Sequence, residues 1–409
     1  MFRHALKIVW NRRRANRLVV LEVAAAFIVT FVVAAFAIDA RNDYLRPLGF
    51  EYDDVWLVAL TSNNLQPLMF GNPTQTRAVV EDVLARLRTL PAVEAAHGIA
   101  MPPFQNFYLM TPLGRDADTL VATQGNVMTA EGLEMLGVRA IDGRLFGPED
   151  EGQDYIATVV NKAFVEQAFG GESPVGKRVN FLSPEVLARA PPGQAREEQR
   201  EVRVVGVIED FRQLGEFSDR VPYSINQQQP RDAFTNVLVK VAPGTERGFE
   251  ADIVAAALSV APGWTVTVTP LAELRATRHA EALLPLKIGA TLAAFLLAMV
   301  VLGLIGIVWQ DVVRRTQEIG VRRAAGAASA HVRRQIVLEM LVIGLFGIGA
   351  GALVAIQFPL FEISQFAWTS ALPSLVVSAA LIALLAMAAA FYPAWLASRR
   401  EPTDALRYE

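Results

Sequence analysis

Four long apolar runs constrain this chain more than any other feature. Residues 288–309 and 340–358 contain no charged residue, and each run is long enough to cross a hydrocarbon core of about 30 Å as a helix. Residues 18–38 and 371–397 form two further runs, in which only Glu22 carries a charge. Spans of this kind also explain a hydrophobic content of 53%, which is high for a soluble protein. We therefore predict an α-helical membrane protein with four transmembrane helices.

The segment between the first and second spans has a different pattern. Residues 39–282 contain no run long enough to span, and short β-branched strands alternate there with amphipathic helices. This pattern predicts a large α+β extracytoplasmic domain with a helical stalk. Local signals predict strands at 55–60, 202–208, 237–241 and 264–268, a helix carrying Val79 to Leu87, helices capped by Thr129 and Asn161, a helix opened by Pro270, and a surface insertion at 181–200.

Arginine placement predicts which loops face the cytoplasm. Short loops rich in Arg and Lys stay on the cytoplasmic side, and arginines cluster in the leader before residue 18 and around the loop at 310–335. The first apolar run is longer than the apolar part of a signal peptide, so we expect an uncleaved span. The predicted segments are a basic leader at 1–17, spans at 18–38, 283–309, 336–358 and 371–397, an extracytoplasmic domain at 39–282, a cytoplasmic loop at 310–335, an external loop at 359–370 and a cytoplasmic tail at 398–409.

The loop between the second and third spans predicts a short helix of its own. Over 316–325, Glu318 and Arg322 stand at the favourable i,i+4 spacing, and Gly326 supplies a stop. Ser329 is a candidate cap for the next helix. From the residues alone two interpretations stay open: a surface anchor whose arginines meet lipid phosphates, or a docking element for a cytoplasmic partner.

Several short segments of the sequence resemble those of one protein family. Residues 318–327, Glu-Ile-Gly-Val-Arg-Arg-Ala-Ala-Gly-Ala, are similar to the cytoplasmic loop of MacB/FtsX-type ABC transporter permeases. Residues 143–146 (GRLF), 159–161 (VVN), 174–179 (PVGKRV), 204–207 (VVGV), 210–212 (DFR) and 392–395 (YPAW) resemble the MacB periplasmic core domain and the family's closing pattern, in the family's order. The resemblance covers nearly the whole chain.

The resemblance implies a role and partners for the loop. In the family this loop is a coupling helix that docks on the ATPase subunit, and its movement is passed to the external domain rather than to a solute pore. The residues assigned to docking or loop shape are Glu318, Ile319, Gly320, Arg322, Arg323 and Gly326. The implied partners are a dimeric ABC ATPase on a separate subunit, an identical or different second permease protomer, and membrane lipids, with a periplasmic adaptor left open. The implied location is the bacterial inner membrane, with both termini in the cytoplasm.

Catalytic and cofactor signals are scarce. Residues 171–177 fit the spacing of a phosphate-binding loop, but Arg178 follows where Ser or Thr is needed, and we expect a helix-to-strand turn there. The four histidines, His4, His97, His279 and His331, have no metal-ligand spacing, and cysteine is absent. A net charge of -3 gives no basic field for nucleic acid. We therefore expect no catalytic residue, no metal and no cofactor.

Charged and small residues within the spans leave two questions open. Glu22, Lys287 and Glu339 lie near span ends, and Glu22 can either reach the headgroups or act within the membrane. Gly347 and Gly351 form a G-x-x-x-G motif, which predicts a close helix contact and leaves a dimer contact open. An alternative function is a membrane-anchored extracytoplasmic ligand sensor, a class that normally continues into a cytoplasmic signalling domain.

Overall fold

The computed structural model describes residues 13–62, 73–116, 119–179, 201–230, 232, 234–315, 328–361 and 367–399. The described chain forms two compact units. One is Asp43–Ala282, and the other combines the residues before Asp43 with those from Leu283 onward. The predicted fold class, four membrane-spanning helices with an α+β domain between the first and second, is confirmed.

The helices and strands follow one another in this order. They are α1 (Arg13–Tyr44), β1 (Val55–Ser62), α2 (Pro73–Leu87), β2 (Val93–Ile99), β3 (Leu109–Leu113), β4 (Val121–Met128), α3 (Ala130–Met135), β5 (Ala140–Gly143), β6 (Tyr155–Asn161), α4 (Lys162–Phe169), β7 (Arg178–Val179), β8 (Glu201–Ile208), β9 (Tyr223–Gln227), β10 (Asn236–Val241), α5 (Glu250–Val260), β11 (Trp264–Pro270), α6 (Leu271–Ala282), α7 (Leu284–Arg314), α8 (Ser329–Ala355), α9 (Gln357–Leu360) and α10 (Trp368–Arg399).

Four of the described helices are long and apolar enough to cross a membrane. The candidate spans are Arg17–Tyr44, Leu271–Arg314, Ala330–Leu360 and Trp368–Leu396. Leu18, Leu302, Leu353 and Val376 are each more than two-thirds exposed on these helices. Large apolar side chains that face outward on a helix are suited to lipid rather than to water.

The G-x-x-x-G motif of α8 packs against α1 of the same chain. A Cβ atom added at Gly347 would lie 2.5 Å from Val23 Cβ, and one at Gly351 would lie 2.9 Å from the carbonyl oxygen of Ala24. The two glycines therefore allow α8 to approach α1 more closely than any larger residue would. This settles the predicted helix contact, and its partner is α1.

The external unit is built on one mixed sheet. Within the described residues, eleven strands run in the order β11-β1-β10-β2-β4-β9-β6-β8-β5, with β3 paired to β4 and β7 paired to β8. The β4–β9 and β6–β8 pairs are parallel and the other pairs are antiparallel. Val58 of β1 is buried against the cluster beneath α2 and α5, whereas its neighbour Leu57 is buried in the cluster on the other face. Alternate residues of a strand point to opposite faces, so β1 is apolar from Val55 to Leu60 because both of its faces are covered there.

Local capping signals fix the helices of this unit. Thr129 Oγ1 accepts a hydrogen bond from Gly132 N (3.1 Å), and Asn161 Oδ1 accepts one from Phe164 N (3.0 Å). Gly170 ends α4 in the left-handed conformation with φ 61°, which glycine adopts at little cost. Both predicted caps are confirmed, and Gly137, with φ 64°, follows the end of α3.

Two of the local predictions are wrong. The helix α8 begins at Ser329 itself and Ala328 occupies the cap position without a side-chain hydrogen bond, so Ser329 is not the cap. Pro270 is the last residue of β11 and not the first residue of a helix, because α6 begins at Leu271. The predicted insertion at 181–200 lies outside the described residues.

The segment that resembles a phosphate-binding loop is a turn between a helix and a strand. It follows α4 and leads into β7, the reverse of the strand-to-helix order that phosphate binding requires. The Lys177 ammonium lies 5.2 Å from the centre of the Phe169 ring and 3.6 Å from Glu172. The predicted helix-to-strand turn is confirmed, and Lys177 contacts residues of its own turn.

Candidate functional site

The loop predicted to couple to a partner is only partly covered by the described structure. The assigned residues Glu318, Ile319, Gly320, Arg322, Arg323 and Gly326 lie outside the described residues, as do the predicted helix at 316–325 and its pair of Glu318 with Arg322. The structure describes the two helices that bracket the loop, α7 ending at Arg314 and α8 beginning at Ser329. The candidate site is therefore built from these two helix ends.

A buried ion pair holds the two helix ends together. Arg315 Nη1 donates a hydrogen bond to Glu339 Oε2 at 2.8 Å, and Gln335 Nε2 donates to the other carboxylate oxygen at 3.1 Å. Glu339 is only 3% exposed. A charge removed from water requires a partner of opposite charge and further hydrogen bonds, and here both carboxylate oxygens have one. The pair fixes Arg315, the residue after α7, to the third turn of α8.

Two further contacts strengthen this bracket. Asp311, one turn before Arg315, lies 3.8 Å from Arg315 Nη2. The guanidinium of Arg333 lies 5.6 Å from the centre of the Phe391 ring, which links α8 to α10. These contacts connect α7, α8 and α10 around the two ends of the loop.

A second polar cluster lies within the external unit, at the residues where the chain enters and leaves that unit. We call it the junction and define it as Asp43, Arg212, Glu216, Arg275 and His279. Arg212, which is 6% exposed, donates to the carbonyl oxygen of Asp43 (2.7 Å), to that of Ser218 (2.8 Å) and to that of Glu216. The loop at 210–218 is thereby tied to the end of α1.

The other half of the junction ties the same loop to α6. Glu216 is 3% exposed, and its two oxygens lie 2.5 Å from Arg275 Nε and 2.7 Å from His279 Nε2. Burial raises the pKa of the Glu216 carboxyl, but the hydrogen bonds from His279, from the Glu216 backbone amide and from Arg275, together with the Arg275 charge, lower it by more, so the pKa lies below its ordinary value. The carboxylate is therefore held in its charged form between two donors of α6.

This charge state gives a pH-dependent prediction for Glu216. Since the folded-state pKa is lowered, the stabilisation is fully present above the unfolded value near 4.5 and is lost as the pH falls through the folded value. We expect the full chain to be more stable than its Glu216→Gln variant above about pH 4.5, with a gap that narrows in more acid solution. Thermal unfolding of both proteins across this range measures the gap. Glu209→Gln, at a half-exposed side chain, is the control, and a Glu216 gap that is constant with pH would contradict the prediction.

A cleft of about 440 Å³ lies in the external unit between α2, the Thr129 cap and the end of β9. His97 lines it with Nδ1 3.3 Å from Thr129 Oγ1, and burial lowers the pKa of this imidazole. Asp150 is bonded to Arg144 by two hydrogen bonds of 2.6 and 2.8 Å. Across the described part of the chain no three His, Asp or Glu side chains are grouped as a metal site. Among the described residues that line it, the cleft therefore holds no group of three candidate metal ligands.

Sequence reasoning missed the junction and the partner of Glu339. His279 has no sign of a partner in its own part of the sequence, because Glu216 stands 63 residues away. The sequence does indicate that Glu339 has a partner, because a carboxylate at the end of an apolar run needs a cation from a neighbouring helix.

Glu22 lies against α7, where a Cβ atom at Gly303 would be 2.9 Å from its Oε2.

Two family models match this chain. The model described as MacB-like periplasmic core domain matches residues 20–256, more than half of the chain, and the model described as FtsX-like permease C-terminal matches residues 290–402. Together they cover α1 with most of the external unit, and then the last three spans with the loop at 316–327.

Curated relatives match over two-thirds of this chain. The macrolide export ATP-binding/permease protein MacB 2 of Aeromonas hydrophila is 25% identical over 285 residues, which are 67% of this chain and 41% of that protein. The macrolide export ATP-binding/permease protein MacB of Bdellovibrio bacteriovorus is 24% identical over 284 residues, which are 68% of this chain and 42% of that protein. The chain thus spans about two-fifths of the length of these relatives.

Two solved structures overlap the external unit. The periplasmic region of MacB from Actinobacillus actinomycetemcomitans covers 57% of this chain and 96% of its own, with a TM-score of 0.37 and 12% identity. The extracellular domain of the noncanonic ABC-type transporter YknZ from Gram-positive bacteria covers 52% and 99%, with a TM-score of 0.34 and 16% identity.

The helices, the external sheet and the bracketed loop define a multi-pass bacterial membrane protein of the permease class. The chain belongs to the MacB/FtsX-type ABC transporter permeases.

Proposed function

We propose that this chain is the transmembrane subunit of an ABC transporter and couples ATP hydrolysis on a separate ATPase subunit to movement of its external domain. The ATPase docks on the loop at 316–327, and the residues assigned to docking or to the shape of the loop are Glu318, Ile319, Gly320, Arg322, Arg323 and Gly326. A second permease protomer, identical or different, completes the transporter. Both termini lie in the cytoplasm and the external unit lies outside the inner membrane. The subunit itself carries no catalytic residue.

The observation that supports this proposal is the bracket around the loop. Arg315 and Glu339 hold the ends of α7 and α8 together through a buried hydrogen bond of 2.8 Å, so force on the loop reaches both helices without first separating them. Only Leu283 lies between α7 and α6, and α6 carries Arg275 and His279 of the junction. Movement of α7 therefore acts through a continuous stretch of chain on the helix that holds the 210–218 loop.

The proposed output is mechanical, with efflux or extraction of a periplasmic or membrane substrate as its purpose. A solute path through the membrane would need polar side chains along its length. In the described spans, Ser370, Ser374 and Ser378 of α10 are buried, and the Ser374 hydroxyl donates to the carbonyl oxygen of Ser370 at 2.6 Å. The Ser370 hydroxyl likewise donates to the carbonyl oxygen of Ala367, whereas Ser378 Oγ has no hydrogen-bond partner among the described residues. Transmission of movement is favoured over passage of a solute because the four predicted spans carry charges only near their ends, at Glu22, Lys287 and Glu339.

Exchange of Glu318 and Arg322 for alanine tests the docking proposal. We expect the double variant to lose the ATPase during co-purification from the native membrane, because the loop loses the charged pair that would order its docking face. The amount of ATPase recovered per permease is the measurement.

Arg77 and Glu81 provide a matched control for this double variant. They form an i,i+4 ion pair of 2.6 Å on α2 of the external unit, so Arg77→Ala with Glu81→Ala removes the same charges from a surface that no ATPase should touch. Full ATPase recovery with the variant at 318 and 322 would remove the docking assignment. A parallel loss in the control would trace the effect to stability and not to docking.

A further inference from the structure

An exposed apolar segment stands out on the external unit. Phe107, Tyr108, Leu109 and Met110 are consecutive in the chain and are 64%, 46%, 50% and 46% exposed. Leu109 and Met110 begin β3, where neighbouring side chains point to opposite faces, so both faces of the strand are open at this end. Contiguous exposed apolar side chains on a folded domain mark a contact surface. We call residues 107–110 the apolar segment.

The sequence around the apolar segment has no charge. Residues 95–114 contain no Asp, Glu, Lys or Arg, although charged residues make up 19% of the chain as a whole. Moving this stretch out of water therefore requires no charge to be stripped of its hydration. A docking surface for a soluble protein normally has a polar or charged rim, whereas a surface that enters lipid is favoured by the absence of charge.

Hydrogen bonds place the apolar segment beside the junction. Gln213 Nε2 donates to the carbonyl oxygen of Phe107 (3.0 Å), and Gln213 O accepts from Phe104 N (2.7 Å). The preceding residue, Arg212, is the one that bonds to the carbonyl oxygen of Asp43. The apolar segment is thus anchored through two adjacent residues to the point where α1 enters the external unit.

Asp43, where α1 enters the external unit, is separated by few residues from the end of the first apolar run. Asp43 is five residues beyond Ile38, the end of the first apolar run, which is about 8 Å of helix at 1.5 Å per residue. Tyr44 and Leu45 follow it and are 53% and 63% exposed. Tyr and Phe side chains are favoured at the level of lipid headgroups, where the ring is apolar and its edge is wet.

We propose that the apolar segment enters the interfacial layer of the lipid leaflet on its own side of the membrane, next to the end of α1. Phe107, Leu109 and Met110 bury apolar surface there, and the Tyr108 hydroxyl stays at headgroup level. Arg41 and Arg46 are placed on the same stretch of chain as Asp43 to meet lipid phosphates. The lipid contact gives the external unit a second attachment to the bilayer beside its covalent helices. It does not depend on ATPase docking or on which side of the membrane the domain occupies.

A thiol probe tests the proposal, because the chain contains no cysteine. Tyr108→Cys in the full chain introduces a single reactive thiol, which is labelled with an environment-sensitive fluorophore and incorporated into nanodiscs of phosphatidylcholine and phosphatidylglycerol. A second set of nanodiscs contains a lipid with a nitroxide near its headgroup, which quenches fluorophores at that depth. We expect blue-shifted emission at position 108 and a clear loss of emission with the nitroxide lipid.

Thr265→Cys is the matched control. Thr265 is exposed on β11 and lies at the opposite end of that strand from Pro270, after which α6 leads to the second span. A probe at 265 should keep water-like emission and show no quenching. Water-like emission without quenching at 108 would overturn the proposal, as would blue-shifted emission at 108 that the nitroxide lipid leaves unquenched, because the latter indicates a contact with a second protein copy.

Discussion

Replacing Gly347 or Gly351 with alanine is expected to lower the melting temperature of the full chain, whereas the same change at Gly349 leaves it unchanged or slightly higher. An added methyl group at Gly347 would lie 2.5 Å from Val23 Cβ, and one at Gly351 would lie 2.9 Å from Ala24 O. Both distances are too short for carbon, so α1 must move away from α8. Overpacking of this kind costs about 1–3 kcal/mol.

Gly349 is the matched control, because it lies on the same helix between Gly347 and Gly351. A Cβ atom added there would have no neighbour within 4 Å. All three variants gain the same helix preference of alanine over glycine, about 1 kcal/mol in water, so the difference among them isolates packing against α1. Thermal unfolding of the purified chain in detergent measures it. Three equal shifts in melting temperature would show that the close approach of α8 to α1 contributes nothing to stability.

The sequence predicts the architecture well because the signals for it are local. Span length, apolar composition and the caps at Thr129 and Asn161 each depend on residues within a few positions of one another. The same is true of the turn at 171–177, where the residue after Lys177 and the order of helix and strand were enough to reject phosphate binding.

The contacts between distant residues were out of reach of the same reasoning. Arg212 bonds to the backbone of a residue 169 positions earlier, and a single arginine in a strand-rich region carries no sign of such a partner. The motif at Gly347 and Gly351 showed that some helix would come close, but only the packing identified α1. Glu339 lies between these two cases. Its position in an apolar helix predicts that it needs a partner of opposite charge, but the sequence does not identify that partner as Arg315.

Replacement of Arg212 with alanine is expected to produce the largest loss of stability in the external unit. The guanidinium is buried and donates to the carbonyl oxygens of Asp43, Glu216 and Ser218, and each of these oxygens would lose a charged donor. Hydrogen bonds to a charged group contribute about 1.5–3 kcal/mol each, so a loss of about 3 kcal/mol or more is expected. Arg212→Lys should recover little, because one ammonium cannot reproduce the planar arrangement of donors.

Hydrogen exchange of the full chain locates this loss. The amides of Gly215 and Ser218 are bonded within the 210–218 loop, to Arg212 O (2.9 Å) and Gly215 O (3.2 Å), and they should exchange faster once the loop is no longer held to α1. Arg46→Ala is the control, because Arg46 contacts the Asp43 carboxylate (3.2 Å) but is 59% exposed, and exposed pairs contribute about 1 kcal/mol at most. If both variants lose the same stability and the loop amides exchange as in the parent, the 210–218 loop is not held to Asp43 through Arg212.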